Sequence, residues 1–235
     1  MKISPVNENS VIVYFSDQVS LETADKVSFA YQLLKVKLKD VLIDIIPSYT
    51  SILLSCDLHK IGLRWFINEL QRSLMNMDYK PSAPDMAHRI SLPVYYGEEV
   101  AWDHQVISEH TQLPFSEVIA LHSAEIYRVF AIGFAPGFAY LGNTSPLISI
   151  PRKSSPRQNV PKGSVAIADQ QSAIYPEQSP GGWQIIGRTP VNLFDINKPN
   201  LSKFEMGVEV KFEAIDLDTF LMMGGELDPR EIKQV

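Results

Sequence analysis

The stretch that decides the fold is residues 133–190, which read GFAPGFAYLGNTSPLISIPRKSSPRQNVPKGSVAIADQQSAIYPEQSPGGWQIIGRTP. Tight turns are predicted at residues 136–137, 161–163 and 179–182, because proline presets φ and glycine accepts φ values that side chains disfavour. Short apolar runs lie between these turns, at residues 164–168 and 183–186, and they have the length and composition of strands. This alternation predicts a closed or sandwiched β structure whose loops carry the chemistry.

Four cationic side chains lie among these loops, namely Arg152, Lys153, Arg157 and Arg188, whereas the chain as a whole has a formal net charge of -6. An arginine fork can hold a carboxylate or phosphate through two hydrogen bonds, and glycine-rich turns let backbone N–H groups approach the same anion. We therefore predict an anion site that contains Arg157 and Arg188. The alternative for each arginine taken alone is an ordinary solvated loop residue.

Aromatic and polar residues of the same stretch complete the predicted pocket. Tyr175 and Trp183 are expected to form its apolar wall, and Gln171 can read a polar group as both donor and acceptor. The turn at Gly181 and Gly182 would form its edge. A role for Trp183 in the barrel core is an equally good interpretation.

Several segments, in the same order, resemble the signature of the family that contains the B subunit of 5-oxoprolinase, the sporulation-kinase inhibitor and part of the urea amidolyase and allophanate hydrolase region. They include His122, Tyr127, GFAPGFAYLG at 133–142, PRQNVPKGSVAIA at 156–168 and SPGGWQIIGRTP at 179–190. Weaker agreement continues upstream through residues 42–54, so the likeness covers nearly the whole chain. The resemblance implies a cyclophilin-like β-barrel for the C-terminal domain.

For function, the resemblance implies the B subunit of an ATP-dependent 5-oxoprolinase, which converts 5-oxo-L-proline to L-glutamate. The implied partners are a barrel protein like the C subunit and a protein like the A subunit, and the implied cofactor is ATP with Mg²⁺ as its counter-ion. The expected catalytic residues are His122, Arg157, Gln171 and Arg188. The expected substrate or nucleotide contacts are Phe138, Tyr175, Gly181, Gly182 and Trp183. His122 is equally well interpreted as a structural histidine.

Two other functions stay open at this point. The barrel could be a regulatory module that inhibits a sensor histidine kinase through exposed apolar loops around Phe134 and Tyr140. It could also be a subunit in urea or allophanate hydrolysis. The sequence has neither a GxxxxGK[ST] phosphate loop nor a GxSxG nucleophile elbow, so we expect an enzyme subunit that is inactive alone.

Composition limits the remaining classes. The 235 residues include one cysteine, Cys56, so an intrachain disulfide is impossible and this thiol is expected to be buried. No apolar run reaches the roughly 20 residues that span a bilayer, and the N-terminus lacks an apolar signal-peptide core, so a cytoplasmic protein is expected. The acidic balance argues against a nucleic-acid partner. The five scattered histidines show no metal-ligand spacing.

The chain as a whole is predicted to be α+β with two domains. Residues 1–85 are predicted to form a ferredoxin-like α/β sandwich, with strands at 11–15, 41–46 and 51–55 and helices from Leu21, capped by Ser20, and over 57–77. That fold normally adds a further strand. Two prolines within residues 80–84 predict a linker, and residues 86–235 are the predicted barrel domain.

The barrel domain is predicted to begin with a strand at 89–96. Helices are expected over 102–109 and 116–122, the second capped by Ser116. The strand pattern then returns at 129–132, 165–168, 183–187 and 208–214, and residues 218–222 are predicted to form a short terminal helix.

Overall fold

The structure, a computed structural model, describes residues 1–79, 89–197 and 201–227. The chain divides into two compact units, Met1–Asp85 and Met86–Val235. Together they contain helices, an antiparallel sheet and a closed barrel, so the protein is α+β. The predicted linker at residues 80–84 lies outside the described residues. No helix of the described ranges is long and apolar enough to cross a membrane.

The N-terminal unit is a four-stranded antiparallel sheet with two helices. Its elements, in chain order, are β1 (Lys2–Pro5), β2 (Ser10–Tyr14), α1 (Leu21–Lys37), β3 (Leu42–Pro47), β4 (Ser51–Cys56) and α2 (Leu63–Met75). The strand order is β1-β2-β4-β3. Because β2 and β3 are both antiparallel to β4, which lies between them, they run parallel to each other. The sheet therefore contains a split βαβ unit.

Local chemistry explains where these helices begin. The Ser20 hydroxyl accepts a hydrogen bond from the Thr23 N–H at 3.1 Å, so the predicted cap of α1 is confirmed. The predicted start of the second helix at Asp57 is wrong. Asp57 instead accepts the His59 N–H at 3.0 Å, which fixes a turn, and α2 begins at Leu63. An aspartate side chain that binds the backbone two residues on favours such turns over helix.

Side chains alternate between the two faces along each strand of this sheet, and the buried apolar side chains share one face. Val11, Val13, Ile52 and Leu54 are buried, as is Cys56, which confirms the expectation for the thiol. The remaining strand, β1, pairs with β2 at the sheet edge. Four residues ending in proline carry too weak a periodic signal for the sequence to reveal them.

Within residues 89–197 and 201–227, the C-terminal unit has nine strands. They are β5 (Arg89–Tyr95), β6 (Ile126–Ile132), β7 (Ala139–Gly142), β8 (Arg157–Val160), β9 (Ser164–Ala168), β10 (Gln171–Ile174), β11 (Ser179–Gly181), β12 (Gln184–Arg188) and β13 (Glu209–Ile215). Seven of them close a barrel in the order β10-β7-β6-β13-β5-β12-β9, and β8 pairs with β11 in a separate two-stranded sheet. The pair β5–β13 is parallel.

Three α-helices of the described residues accompany the barrel: α3 (His104–Thr111), α4 (Phe115–Ala124) and α5 (Leu217–Met222). The predicted cap of α4 at Ser116 is wrong, since the helix begins at Phe115 and Pro114 occupies the cap position with a ψ of 143°. Proline has no backbone N–H to donate. It is nevertheless tolerated at the start of a helix, because the first N–H groups there have no acceptor within the helix.

Side-chain alternation gives the barrel wall two packed faces. Val165 and Ile167 of β9 point into the main core, together with Ile174 of β10 and Ile186 of β12. The intervening residues face outward and form a second cluster with Phe138, Val160, Tyr175 and Trp183; they are Ala166, Ala168, Ala173 and Ile185. Three alanines leave room above the outer face, and aromatic rings fill it. We call this second group the outer cluster.

Candidate functional site

His122 lies inside the barrel, away from the outer cluster. Its Nδ1 is 2.9 Å from the Tyr96 hydroxyl, and its Nε2 is 2.9 Å from the Ser172 hydroxyl. Ser172 donates to the Ala166 carbonyl at 3.4 Å, so its oxygen accepts from Nε2–H and Nδ1 accepts from Tyr96. Burial lowers the pKa of His122 to about 3, because a charged ring is poorly solvated there. A neutral, fully hydrogen-bonded imidazole favours the structural interpretation of this residue.

The outer cluster contains three of the aromatic residues that the sequence assigned to the site. Phe138 meets Tyr175 and Trp183 edge-on, with ring centroids 5.4 and 6.1 Å apart. Tyr175 is 1 % exposed and Trp183 is 4 % exposed. These rings therefore pack over the alanine face of the barrel, and almost none of their surface is exposed.

Two arginines approach this cluster from outside. The guanidinium carbon of Arg152 lies 5.4 Å from the centroid of the Trp183 ring, and that of Arg157 lies 5.6 Å from the Trp102 ring. Burial raises the pKa of the Tyr175 hydroxyl, and both arginines oppose that rise.

Asp103 holds Arg157 in place. This carboxylate is 2 % exposed, and its Oδ1 accepts from Arg157 Nη2 at 2.7 Å and from Lys153 Nζ at 3.1 Å. Its Oδ2 accepts the Ile185 N–H at 2.7 Å, which ties the cluster to β12. Within the described ranges, Arg157 Nη1 and Trp102 Nε1 are buried without a hydrogen-bond partner. Arg157 thus has one guanidinium nitrogen fixed by Asp103 and another that is buried without an acceptor.

The sequence did not single out Asp103. It precedes Arg157 by 54 residues, and only the closure of the barrel brings the two together. An isolated aspartate beside a tryptophan has no periodic or motif signal. A buried carboxylate that satisfies two cations and a backbone N–H can be recognised only from the structure.

Gln171 and the two glycines lie at the same side of the barrel. Gln171 pairs with Gly142 and Ala168, and alternation along β10 puts it on the outer face with Ala173 and Tyr175. A Cβ at Gly181 would overlap the Tyr175 hydroxyl, whereas a Cβ at Gly182 would meet its nearest atom, the Lys153 carbonyl oxygen, at 3.6 Å. Gly181 is therefore required by close packing.

Arg188 lies elsewhere. It is buried at the far end of β12, beside Ser164 and Tyr95, and its Nη1 donates to the Glu226 carbonyl at 2.8 Å. It lies three positions after Ile185 in β12, which corresponds to about 10 Å along a strand. The structure thus groups Phe138, Gln171, Tyr175 and Trp183 on the outer face with Arg157 at the margin, and gives Arg157 and Arg188 different partners.

The described residues include no group of three or more His, Cys, Asp or Glu side chains arranged to hold a metal ion. The polar groups at the outer cluster include several donors, namely the two guanidinium groups, the Tyr175 hydroxyl and the Trp102 N–H, and Gln171 can both donate and accept. Such a set suits an anion with oxygen acceptors.

Comparisons with known proteins agree with this architecture. Residues 1–204 match the family model described as carboxyltransferase domain, subdomain C and D. The chain is 31 % identical over 222 residues to the 5-oxoprolinase B subunit of Bacillus subtilis, covering 91 % of this chain and 92 % of that protein. It is 32 % identical over 220 residues to the 5-oxoprolinase B subunit of Haemophilus influenzae, covering 92 % and 100 %.

Solved structures show the same fold. The crystal structure of TTHA0988 superposes with a TM-score of 0.78 at 27 % identity, and covers 95 % of this chain. This chain spans 41 % of TTHA0988, which is therefore a longer protein. The urea carboxylase of Kluyveromyces lactis superposes with a TM-score of 0.73 over 91 % of this chain and 22 % of its own. At 14 % identity it shares the fold alone. By the family match and by its curated relatives, the chain belongs to the carboxyltransferase subdomain C and D family, together with the proteins named as the B subunit of 5-oxoprolinase.

Proposed function

We propose that this protein is the B subunit of an ATP-dependent 5-oxoprolinase, and that its outer cluster forms part of the reaction site. The observation that carries the proposal is Arg157, which is held by a buried carboxylate beside the Trp102 ring and has one guanidinium nitrogen unpartnered within the described ranges. Family membership supplies the reaction class, because two relatives that this chain covers almost completely bear that name.

The chemistry explains why such a site is useful. An unstrained lactam resists water, and transfer of a phosphoryl group from ATP, with Mg²⁺ as its counter-ion, to the amide oxygen would turn that oxygen into a leaving group. Negative charge then spreads over phosphate oxygens. Preorganised donors stabilise that charge without reorganising during the reaction, and Arg157, the Tyr175 hydroxyl and the Trp102 N–H are candidates for the task.

Some of the other expected site residues lie at the outer cluster, and two lie away from it. Gln171 faces the outer side and can orient an amide or a phosphate through its donor and acceptor. Phe138 and Trp183 exclude water from that side, and Gly181 lets β11 approach Tyr175. We place His122 and Arg188 outside the reaction site, since one is neutral inside the barrel and the other binds the Glu226 carbonyl.

The reaction also needs partner proteins. The sequence offers neither a phosphate loop nor a recognisable nucleophile, so we propose that a barrel protein like the C subunit and a protein like the A subunit complete the site. The chain alone should show no ATP-dependent conversion of 5-oxoproline to glutamate, and the reconstituted complex should show it. Robust turnover by the isolated chain, or an inactive complex, contradicts the proposal.

Variants of Arg157 test the site within that complex. Arg157→Ala should lower turnover by at least about tenfold, the scale of one lost charge-stabilising donor. Arg157→Lys should restore part of it, because lysine keeps the charge but loses the fork. The matched control is Arg64→Gln, which removes a positive charge from an exposed position of α2. Equal turnover in all four proteins contradicts the role of Arg157.

A second candidate function, a regulatory module that inhibits a sensor histidine kinase, is favoured by one observation. Phe134 is 64 % exposed and has a φ of 75°, which is a strained backbone for a non-glycine residue. An exposed ring held in this way is suited to docking against another protein. Co-purification from the native host distinguishes the two functions, because the enzyme predicts barrel and ring-opening partners whereas the inhibitor predicts a kinase.

We also propose specific fold relationships for the two units. A ferredoxin-like assignment of the N-terminal unit is supported by its split βαβ unit and by strand order β1-β2-β4-β3, with β1 in the place of the usual last strand. A cyclophilin-like assignment of the seven-stranded barrel is supported by the family resemblance. An experimental structure of each unit would test both.

A further inference from the structure

A groove lies beside the outer cluster, on the side of Arg152 and Lys153. Its volume is about 480 Å³, which is within the usual range for small-molecule sites. It is lined by Val106 and His110 of α3, by residues 150–155 and by Gln184 of β12. Among these lining residues Arg152 and Lys153 are cationic and none is acidic, although the chain has a net charge of -6. The groove therefore favours an anionic ligand.

Gln184 supplies an unusual acceptor at this groove. The side chain is 4 % exposed, and its Nε2 donates to the Pro151 carbonyl at 3.0 Å. A carbonyl can only accept, so the amide nitrogen must face Pro151 and the Oε1 atom points elsewhere. Within the described part of the chain, this oxygen is buried without a hydrogen-bond partner. A buried acceptor without a donor is costly, so a ligand N–H would be stabilised there.

Arg152 supplies an oriented cation. Its guanidinium carbon lies 5.4 Å from the centroid of the Trp183 ring, a cation–π contact that holds the group beside the groove and leaves its N–H groups for an anion. It forms no ion pair with an acidic side chain of the described ranges, unlike its neighbour Lys153, whose Nζ is 3.1 Å from Asp103 Oδ1. Arg152 can therefore give both arms of its fork to a carboxylate.

We propose that this groove binds a small molecule that carries both a carboxylate and an amide N–H, with the carboxylate at Arg152 and the N–H at the Gln184 Oε1 atom. 5-Oxoproline has both groups, so the ligand's identity rests on the proposed function, and the groove is where its recognition takes place. The Gln184 oxygen is closed to water, so residues 150–155 must shift as the ligand enters.

A ligand series on the full-length chain tests both contacts by titration calorimetry. The probes are 5-oxoproline, 2-pyrrolidinone, which lacks the carboxylate, and the lactone of the same shape, whose ring oxygen replaces the N–H. Each omission should weaken binding by about tenfold or more. Absence of 5-oxoproline binding, or equal affinity for 2-pyrrolidinone, overturns the carboxylate contact. A lactone that binds as tightly as the lactam overturns the role of Gln184.

Variants then locate the binding. Arg152→Gln should weaken 5-oxoproline by about tenfold while leaving 2-pyrrolidinone unchanged, and Arg64→Gln should change neither. Comparing two ligands on one variant separates loss of the contact from loss of folding, since misfolding would affect both. If Arg152→Gln binds 5-oxoproline with wild-type affinity, the proposal is overturned.

The outcomes distinguish this inference from the proposed function. If the reconstituted complex turns over 5-oxoproline but the chain fails the ligand series, the groove is not the substrate site and the proposed function stands. If the chain passes the ligand series but the complex has no ATP-dependent turnover, the groove stands as a site for carboxylated amides and the proposed function fails.

Discussion

His122 shows how a barrel interior can hold an ionisable ring in one protonation state. Three groups satisfy it without charge: the Tyr96 hydroxyl, the Ser172 hydroxyl and, through stacking at 4.5 Å, the Phe212 ring. Protonation would replace the acceptor at Nδ1 by a donor facing Tyr96 and would place a charge where no water solvates it. The hydrogen bonds around His122 therefore require its ring to be neutral.

This neutrality makes stability depend on pH. The pKa of His122 is lowered to about 3 in the folded chain from 6.5, so the unfolded chain binds the proton first as pH falls. The contribution is complete above pH 6.5 and is lost progressively between pH 6.5 and 3. Between pH 7 and pH 4.5 we expect the wild type to lose about 2–3 kcal/mol more unfolding free energy than His122→Gln, which does not titrate.

Urea unfolding at both pH values measures this difference. Glutamine keeps a donor and an acceptor, so it is the closest control that stays neutral. Should His122→Gln fail to fold, NMR titration of the wild-type ring gives the pKa directly. A His122 pKa near 6.5, or the same pH dependence in both proteins, contradicts the interpretation.

Asp103 is the second residue with a defined prediction. Asp103→Ala leaves the buried Ile185 N–H without its acceptor and removes the anchor of Arg157 and Lys153. We expect the free energy of unfolding to fall by about 1–3 kcal/mol, the cost of an unsatisfied buried donor. The control Asp17→Ala, at an exposed position, should change it by less than about 0.5 kcal/mol. Equal unfolding midpoints for the two variants contradict the anchoring role.

Among the secondary-structure elements, strands with a clear apolar pattern could be predicted from the sequence. Strands that depend on pairing with distant strands could not. The strand predicted at 164–168 is β9 with the same bounds, because a continuous apolar run fits a strand buried on both faces. The strands β8 and β10 were missed, since RQNV and QSAI are short and largely polar. They are strands because β11, β7 and β9 pair with them.

The candidate site could also be predicted from the sequence only in part. Arg157, Tyr175 and Trp183 could be named from the turn-rich stretch, because cations and aromatics among glycines and prolines are unusual there. The groove acceptor Gln184 and the anchor Asp103 could not, because their roles depend on contacts with Pro151 and Arg157. The predicted strand 183–187 is shifted by one residue from β12, which places Arg188 inside the strand.

The approach of β11 to Tyr175 yields a prediction with a neighbouring control. A Cβ at Gly181 would overlap the Tyr175 hydroxyl and come within 2.6 Å of its ring carbon Cζ, whereas Gly182 has space. Because Tyr175 is enclosed by the outer cluster, it cannot swing away freely. Gly181→Ala should therefore destabilise the chain by about 1–3 kcal/mol and lower turnover of the complex, while Gly182→Ala should resemble the wild type. Thermal unfolding and turnover measure both, and matching behaviour of the two alanine variants contradicts the packing argument.

At the scale of the whole molecule, two units of different construction share one chain. The N-terminal unit, Met1–Asp85, has a single sheet with one buried face, and the C-terminal unit, Met86–Val235, has a closed barrel packed on both sides of its wall. Each has its own hydrophobic core, which is what independent stability requires. The outer cluster and the groove both belong to the second unit.

Limited proteolysis tests this division. Residues 79–86 read YKPSAPDM, and this sequence predicts a linker because its two prolines lack the backbone N–H that pairing in a sheet or helix requires. A broad-specificity protease at low concentration should cut there first and leave two resistant fragments of roughly 80 and 150 residues, identified by mass spectrometry. The fragments should persist because each keeps its own core. First cleavage within the barrel strands, or a single resistant core that includes residues 79–86, contradicts the presence of two separable domains.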